Sequence, residues 1–198
     1  MKELYIIEGT SNSGKTTTAN LIKEKTDSIL INEFMENPNS PKPSNNLIEE
    51  ISNQKKFLLM EKERLEIAKK YLDGNIVFLD RSFISILAVS YAFEKIGKYS
   101  AYEYALNLYK TIQHEDWYIP PKRVYILTAN YRDKLKRNVK RIKKIKENWI
   151  QEKFDYYQNE FYYNCDVIDN KYFIDNTGLP KEYAAMEIIK QIKKERKY

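Results

Sequence analysis

An α/β fold, with a five-stranded parallel sheet between two layers of helices, is what the 198-residue sequence predicts. Three observations predict it. Short apolar or β-branched runs alternate with longer amphipathic stretches, turn residues separate the two kinds of segment, and 42% hydrophobic content over this length suffices to bury one sizeable core. Parallel neighbours need long crossovers, which helices usually supply, so this alternation points to helices on both faces of the sheet.

The strand-like runs fall at residues 4–8, 28–33, 76–80, 124–128 and 172–175. Helical periodicity covers 14–25, 45–73, 82–96, 100–115, 131–146, 148–164 and 180–195. Boundary chemistry agrees: Ser100 with Glu103 has capping-box spacing, Gly74 and Gly97 stand where helices should stop, and Pro180 suits a first helical turn. Residues 37–44 hold three prolines and no apolar residue, which predicts a loop after the second strand. One domain spanning 1–198 is expected, with no internal repeat.

Composition narrows the function classes. There is no apolar run near bilayer length and no signal-peptide pattern, so a soluble, cytoplasmic chain without a membrane partner is expected. Cys165 is the sole cysteine, which excludes an intramolecular disulfide and a cysteine metal cluster. His114 is also solitary, which argues against histidine metal sites and triad chemistry. The net charge of +6 resembles a nucleic-acid signal, but residues 132–146 carry nine basic residues and one acid, a local +8, which leaves the rest of the chain at −2. The excess belongs to one segment.

The segment Gly9, Thr10, Ser11, Asn12, Ser13, Gly14, Lys15, Thr16 fits G-x-x-x-x-G-K-[ST], directly after a strand and directly before a helix. In such a phosphate-binding loop, glycines let successive backbone N–H groups curl around phosphates, to which the helix N-terminus adds positive potential. Lys15 would reach the β- and γ-phosphates, the Thr16 hydroxyl would join Mg²⁺, and Thr17 completes the nucleotide-contacting run. ATP and Mg²⁺ are therefore the expected cofactors, within a three-layer P-loop fold. A second element discriminates among P-loop classes. Residues 76–80 form an apolar strand ending in Asp80, which brings a carboxylate near the metal, and Arg81 follows where a water-activating ATPase would more often carry a second acid. No Asn-Lys-x-Asp guanine reader follows the 124–128 strand. Phosphoryl transfer to an acceptor is favoured, with Arg81 as a clamp on the transferred group.

These features resemble the thymidylate kinase and deoxynucleoside kinase group. The resemblance rests on Ile7-Glu8-Gly9 opening the loop, on residues 57–65 leading through Gly74 to Asp80-Arg81-Ser82, and on the basic segment after Thr128. It implies that Asp80 and Arg81 lie beside Mg²⁺ and the reacting phosphate, that Arg64 faces the acceptor, and that Glu8 shapes the loop. Leu135, Val139, Ile142 and Trp149 follow helical spacing, with Lys134, Arg137, Arg141 and Lys144 along another face. Such a row of like charges destabilises a helix unless anions approach it. The resemblance puts the family's lid at 131–164, with Arg137 and Arg141 closing over the phosphates, and places an adenine loop at Thr177-Gly178-Leu179-Pro180.

The acceptor side carries less information. Glu33 and Glu36 follow the second strand, where the resemblance implies either a glutamate that takes a hydroxyl proton or an arginine that binds an acceptor phosphate. No arginine occurs before Gln54. A nucleoside or nucleoside monophosphate is the expected small-molecule partner. Two alternatives stand beside it: a kinase for another hydroxyl, on an antibiotic, a cofactor precursor or a polynucleotide 5′ end, and a nonenzymatic nucleotide-dependent switch that binds nucleic acid through the basic segment. A homodimer stays open.

Overall fold

The computed structural model describes residues 3–141, 144–146 and 149–196. Five strands, β1 (Glu3–Glu8), β2 (Ile29–Ile31), β3 (Ile76–Asp80), β4 (Arg123–Thr128) and β5 (Lys171–Asp175), form one sheet in the order β2-β3-β1-β4-β5. Every pairing is parallel. Seven helices are described: α1 (Lys15–Lys25), α2 (Leu47–Tyr71), α3 (Phe83–Lys95), α4 (Tyr102–Ile112), α5 (Tyr131–Val139), α6 (Glu152–Asn164) and α7 (Tyr183–Glu195). Among the described residues no helix is long and apolar enough to cross a membrane.

The period-two alternation of the strands builds two cores. Leu4, Ile6, Val77, Leu79, Val124 and Ile126 face the layer of α2, α3, α4 and α6. Tyr5, Ile7, Phe78, Tyr125, Leu127 and Ile174 face α1 and α7. β1 is buried along its whole length because it lies between β3 and β4 with helices above and below. Each of its large apolar side chains contributes on the order of 1.5–3 kcal/mol by leaving water. The rings of Tyr5, Phe78 and Tyr125 stack across three strands, with centroids 5.4 and 5.9 Å apart. Helical tyrosines have packing roles: Tyr91 meets Tyr102 edge-on at 5.3 Å and Tyr109 stacks on Phe83 at 6.1 Å.

Several boundaries differ from those expected. The second strand spans only Ile29–Ile31, since β2 is an edge strand and the chain leaves it to bury Phe34 in a 3₁₀ turn against Phe57. Ser100 forms no capping box: its hydroxyl donates to the Ser90 carbonyl and accepts from the Tyr102 N–H. Pro180 precedes α7 in a turn closed by the Tyr183 N–H.

The largest difference lies in the basic segment. The helix expected over 131–146 stops at Val139, because the Asn138 amide captures the returning chain: Ile145 N–H donates to its Oδ1 at 2.9 Å and its Nδ2 donates to the Ile145 carbonyl at 3.2 Å. That local alternative also relieves the like-charge row that a longer helix would carry. The buried face is the opposite of the one expected. Leu135 and Val139 are exposed, whereas Lys134 and Asn138 are buried. Polar residues can fill this side because each finds a partner, as the site geometry makes clear. Ile142 lies outside the described residues.

Candidate active site

The phosphate loop leaves β1 at the centre of the sheet and turns into α1. Gly9 has φ +132°, and a Cβ there would fall 2.1 Å from the Leu127 carbonyl oxygen of β4, so backbone packing forbids any side chain. Asn12, at φ +59°, also holds the left-handed region, which asparagine tolerates better than most residues. Thr10, Asn12 and Ser13 are buried, Ser11 and Gly14 are half-buried, and Thr16 and Thr17 lie exposed on the first turn of α1. Lys15 is 5% exposed and donates to the Thr10 carbonyl at 2.6 Å. Burial first, and then the Arg81 guanidinium, push its ammonium down to about 7, against the pull of Asp80, Glu33 and Glu8.

Asp80 ends β3 opposite Ile7 of β1, which brings its carboxylate beside the loop. It is 2% exposed, and its Oδ1 has no hydrogen-bond partner among the described residues. A buried, unpartnered carboxylate oxygen is costly unless a cation or water meets it, so Asp80 fits the Mg²⁺ expected here, with Thr16 as the hydroxyl donor. No cluster of three His, Cys, Asp or Glu ligands occurs among the described residues. Magnesium in a P-loop site does not require one, since phosphates and water complete its shell.

Arg81 takes φ +63°, an unfavourable region for a residue with a long side chain. Several contacts over-determine it. Its N–H continues the sheet to the Ile7 carbonyl at 3.0 Å, and Arg64 Nη2 donates to both the Asp80 and Arg81 carbonyls at 2.9 Å. The twist turns the guanidinium towards Glu33, whose Oε2 accepts from Nε at 2.7 Å. Arg81 Nη1 donates to Ser85 Oγ at 3.1 Å and reaches the Gly9 carbonyl at 3.5 Å.

Beneath this pair lies a fully buried carboxylate. Glu8 accepts from the Ser82 N–H at 2.8 Å, Ser82 Oγ at 2.7 Å, Ser85 Oγ at 2.5 Å and the Tyr162 hydroxyl at 3.1 Å. Glu61 accepts from the Phe83 N–H at 3.2 Å and from Arg64 Nη1 at 3.1 Å. Two carboxylates thus meet the N-terminus of α3, where helix polarity favours negative charge. Burial nonetheless holds the Glu61 carboxyl above its ordinary range, against the Arg64 charge. Burial and then Glu8 hold the Tyr162 phenol well above its own, so it stays a donor.

Arg64 lies behind the Asp80-Arg81 turn. Expected to face the acceptor, it is 7% exposed, its guanidinium engages Glu61 and two backbone carbonyls, and it lies 4.4 Å over the Phe34 ring. It positions the Asp80-Arg81 turn from behind. Glu33 is half-buried at the Arg81 guanidinium, whereas Glu36 is exposed at the end of the 3₁₀ turn. His114 is exposed beyond α4, and Cys165 caps α6 as a half-buried thiol that burial raises.

The basic segment engages the loop from the other side. Lys134, 3% exposed, donates to Thr10 Oγ1 at 2.6 Å and forms a bidentate ion pair with Asp155 of α6 at 2.8 Å. Arg137 Nη1 donates to the carbonyls of Asn12 and Ser13 at 3.1 and 3.0 Å, and its Nη2 to that of Asn176 at 2.5 Å. Arg141 Nη1 donates to Asn12 Oδ1 at 3.3 Å. Both arginines expected at the nucleotide therefore lie at the phosphate loop, with Arg137 bonded to its outer carbonyl surface. The expected adenine loop is tied to α5, since the Gly178 N–H donates to Asp133 Oδ2 at 2.5 Å and the Asn130 N–H to Thr177 Oγ1 at 2.8 Å. Sequence reasoning missed Asp155, Glu61, Ser85, Tyr162 and Asn176, whose Nδ2 donates to the Ser13 carbonyl at 3.1 Å. The i,i+3 spacing of Glu61 and Arg64 was the one available signal. A cleft of about 500 Å³ lies between the start of α5 and α6, with Asp155 in its wall.

The sequence matches no family profile and no curated protein sequence. Solved structures do match. A deoxyadenosine kinase from M. mycoides with bound dCTP is 18% identical, with a TM-score of 0.70 over 96% of this chain and 99% of that one. A thymidylate kinase from Candida albicans is 22% identical, with a TM-score of 0.66 over 98% and 92%. The YorR protein of Bacillus subtilis, in complex with phosphorylated GDP, is 19% identical, with a TM-score of 0.60 over 98% of both chains. The chain therefore shares the fold of these solved structures, in agreement with the α/β fold class its sequence predicts.

Proposed function

We propose that the protein is an ATP-dependent kinase that transfers the γ-phosphate to a hydroxyl of a nucleoside-like acceptor, and that residues 131–164 form its lid. The observation that carries this reading is the 2.7 Å pair between Glu33 and Arg81, set beside the phosphate loop and the buried Asp80 oxygen. Similarity of fold to nucleoside and nucleotide kinases supports it. Arg81 Nε holds Glu33 Oε2, which leaves Oε1 for the acceptor. A hydroxyl is a poor nucleophile at neutral pH, and a positioned carboxylate accepts its proton as the new O–P bond forms. The bond from the γ-phosphorus to the β-bridging oxygen breaks, ADP departs, and the proton passes from Glu33 to solvent. Lys15 and Arg81 stabilise the charge that spreads over the transferred group, in a site where little water competes. Thr16 and Asp80 would hold magnesium, which would supply further neutralisation of the phosphate charge. The loop after β2 holds no arginine for an acceptor phosphate; it carries Glu33 and Glu36, with Lys42 as its one cation. Lys134 and Arg137 turn inward, which removes two cations from any nucleic-acid surface.

The test is ADP release with Mg·ATP across a panel of deoxynucleosides, ribonucleosides, their monophosphates and unrelated alcohols. Acceptor-stimulated release with nucleosides is expected. Release with monophosphates alone would remove Glu33 from the mechanism, and release unaffected by any acceptor would refute the kinase reading.

A further inference from the structure

Asn12 occupies a variable position of the phosphate-loop pattern, where the motif itself asks for no particular side chain. Here it meets the basic segment at three points. Its carbonyl accepts from Arg137 at 3.1 Å, its Nδ2 donates to the Lys134 carbonyl at 3.3 Å, and its Oδ1 accepts from Arg141 at 3.3 Å. The residue is 8% exposed and sits at φ +59°, a conformation that suits few residue types. Lys134 is itself pinned by Thr10 and Asp155, so one end of this arrangement is fixed. Arg141 follows the end of α5 and is exposed. The amide of Asn12 therefore touches both the fixed part of the segment and the part beyond it.

We propose that Asn12 is a positioning residue that couples the phosphate loop to the lid segment and sets where Arg141 stands. This rests on the kinase reading for its catalytic consequence but not for its structural one. A phosphate group bound by the loop's N–H groups would order the loop further, and through Asn12 that order would reach Arg141. The amide makes both contacts at once because it carries a donor and an acceptor.

The test compares Asn12→Gly, Arg141→Gln and the double variant. Glycine keeps the left-handed backbone while removing the amide, and Arg141 is exposed, so its replacement leaves folding intact. Hydrogen exchange over residues 134–141 is expected to quicken several-fold in Asn12→Gly while exchange in β1 and α7 stays the same. Unchanged exchange over 134–141 overturns the coupling whether or not the protein is a kinase. In turnover, each single variant is expected to lose about tenfold in kcat, about 1.4 kcal/mol, with the KM for ATP within about twofold. The double variant should lose no more than Arg141→Gln alone. Fully additive losses, or an effect confined to the KM for ATP, overturn the proposal. If Asn12→Gly does not fold, wild-type exchange and turnover in Arg141→Gln overturn it equally.

Discussion

Replacing Arg64 by methionine separates a residue that faces an acceptor from one that supports the site. In the structure its guanidinium makes three hydrogen bonds, at 3.1 Å to Glu61 and at 2.9 Å to the carbonyls of Asp80 and Arg81. Methionine fills much of the volume but leaves Glu61, 3% exposed, with a single N–H partner. Breaking a buried pair from one side typically costs about 3–5 kcal/mol, a large part of the roughly 5–15 kcal/mol that holds a domain together. At a urea slope of about 2 kcal/mol/M the midpoint should fall by about 1.5–2.5 M. The pH dependence gives a second handle. Burial raises the Glu61 carboxyl and Arg64 opposes it, so the folded state keeps its proton where the unfolded chain has lost it, and stability falls as pH rises from 4.5 through the folded-state value. Without Arg64 that fall extends further, so the deficit should be largest near neutrality and shrink towards pH 5. Adding Glu61→Gln should recover at least half of it. A loss below about 1 kcal/mol, with the effect confined to the KM for the acceptor, would refute this assignment and restore Arg64 to the acceptor site.

Glu33→Gln is expected to lose about 10²–10⁴ in kcat with the KM for ATP little changed, and steady-state rates across pH near those of the parent would sink the proton-acceptor role. Lys15, pushed down to about 7, should regain its charge beside a phosphate, so ADP binding at pH 8 is expected to take up nearly one proton. Calorimetry in buffers of different ionisation enthalpy measures this, and a heat that does not depend on the buffer contradicts it. Tyr162→Phe should cost about 1–2 kcal/mol in urea unfolding, since Glu8 loses one of four donors but keeps the other three. A cost above about 4 kcal/mol would mean that the phenol does more than satisfy Glu8.

The parts of the molecule legible in the sequence are those whose signal is local. The continuous apolar runs at residues 4–7 and 124–127 report burial on both faces directly, and the glycine spacing of residues 9–16 reports a backbone shape that only glycine allows. The Asp80-Arg81 step is readable because a strand end fixes where both side chains emerge. What the sequence conceals depends on partners far along the chain. Lys134 reads as one more cation in a basic run, because its counter-ion Asp155 and its contact Thr10 lie 21 and 124 residues away. The charge spacing of residues 131–146 is helical, yet Asn138 ends the helix through a bond to Ile145 that periodicity does not register. Glu61 and Glu63 are equivalent in a list of charges; only the fold directs one to the start of α3.

Of the two tryptophans in the chain, Trp149 directly follows the basic segment and sits against Phe93 at 5.6 Å and Phe154 at 5.8 Å, whereas Trp117 lies beside Lys62. The indole nearest the segment is thus held among rings of α3 and α6, two helices that also carry Ser85 and Tyr162 to Glu8. With Trp117→Phe, the protein becomes its own optical probe. Emission from Trp149 would report, in real time and without a label, any shift of the chain between Arg141 and α6 relative to the body of the fold.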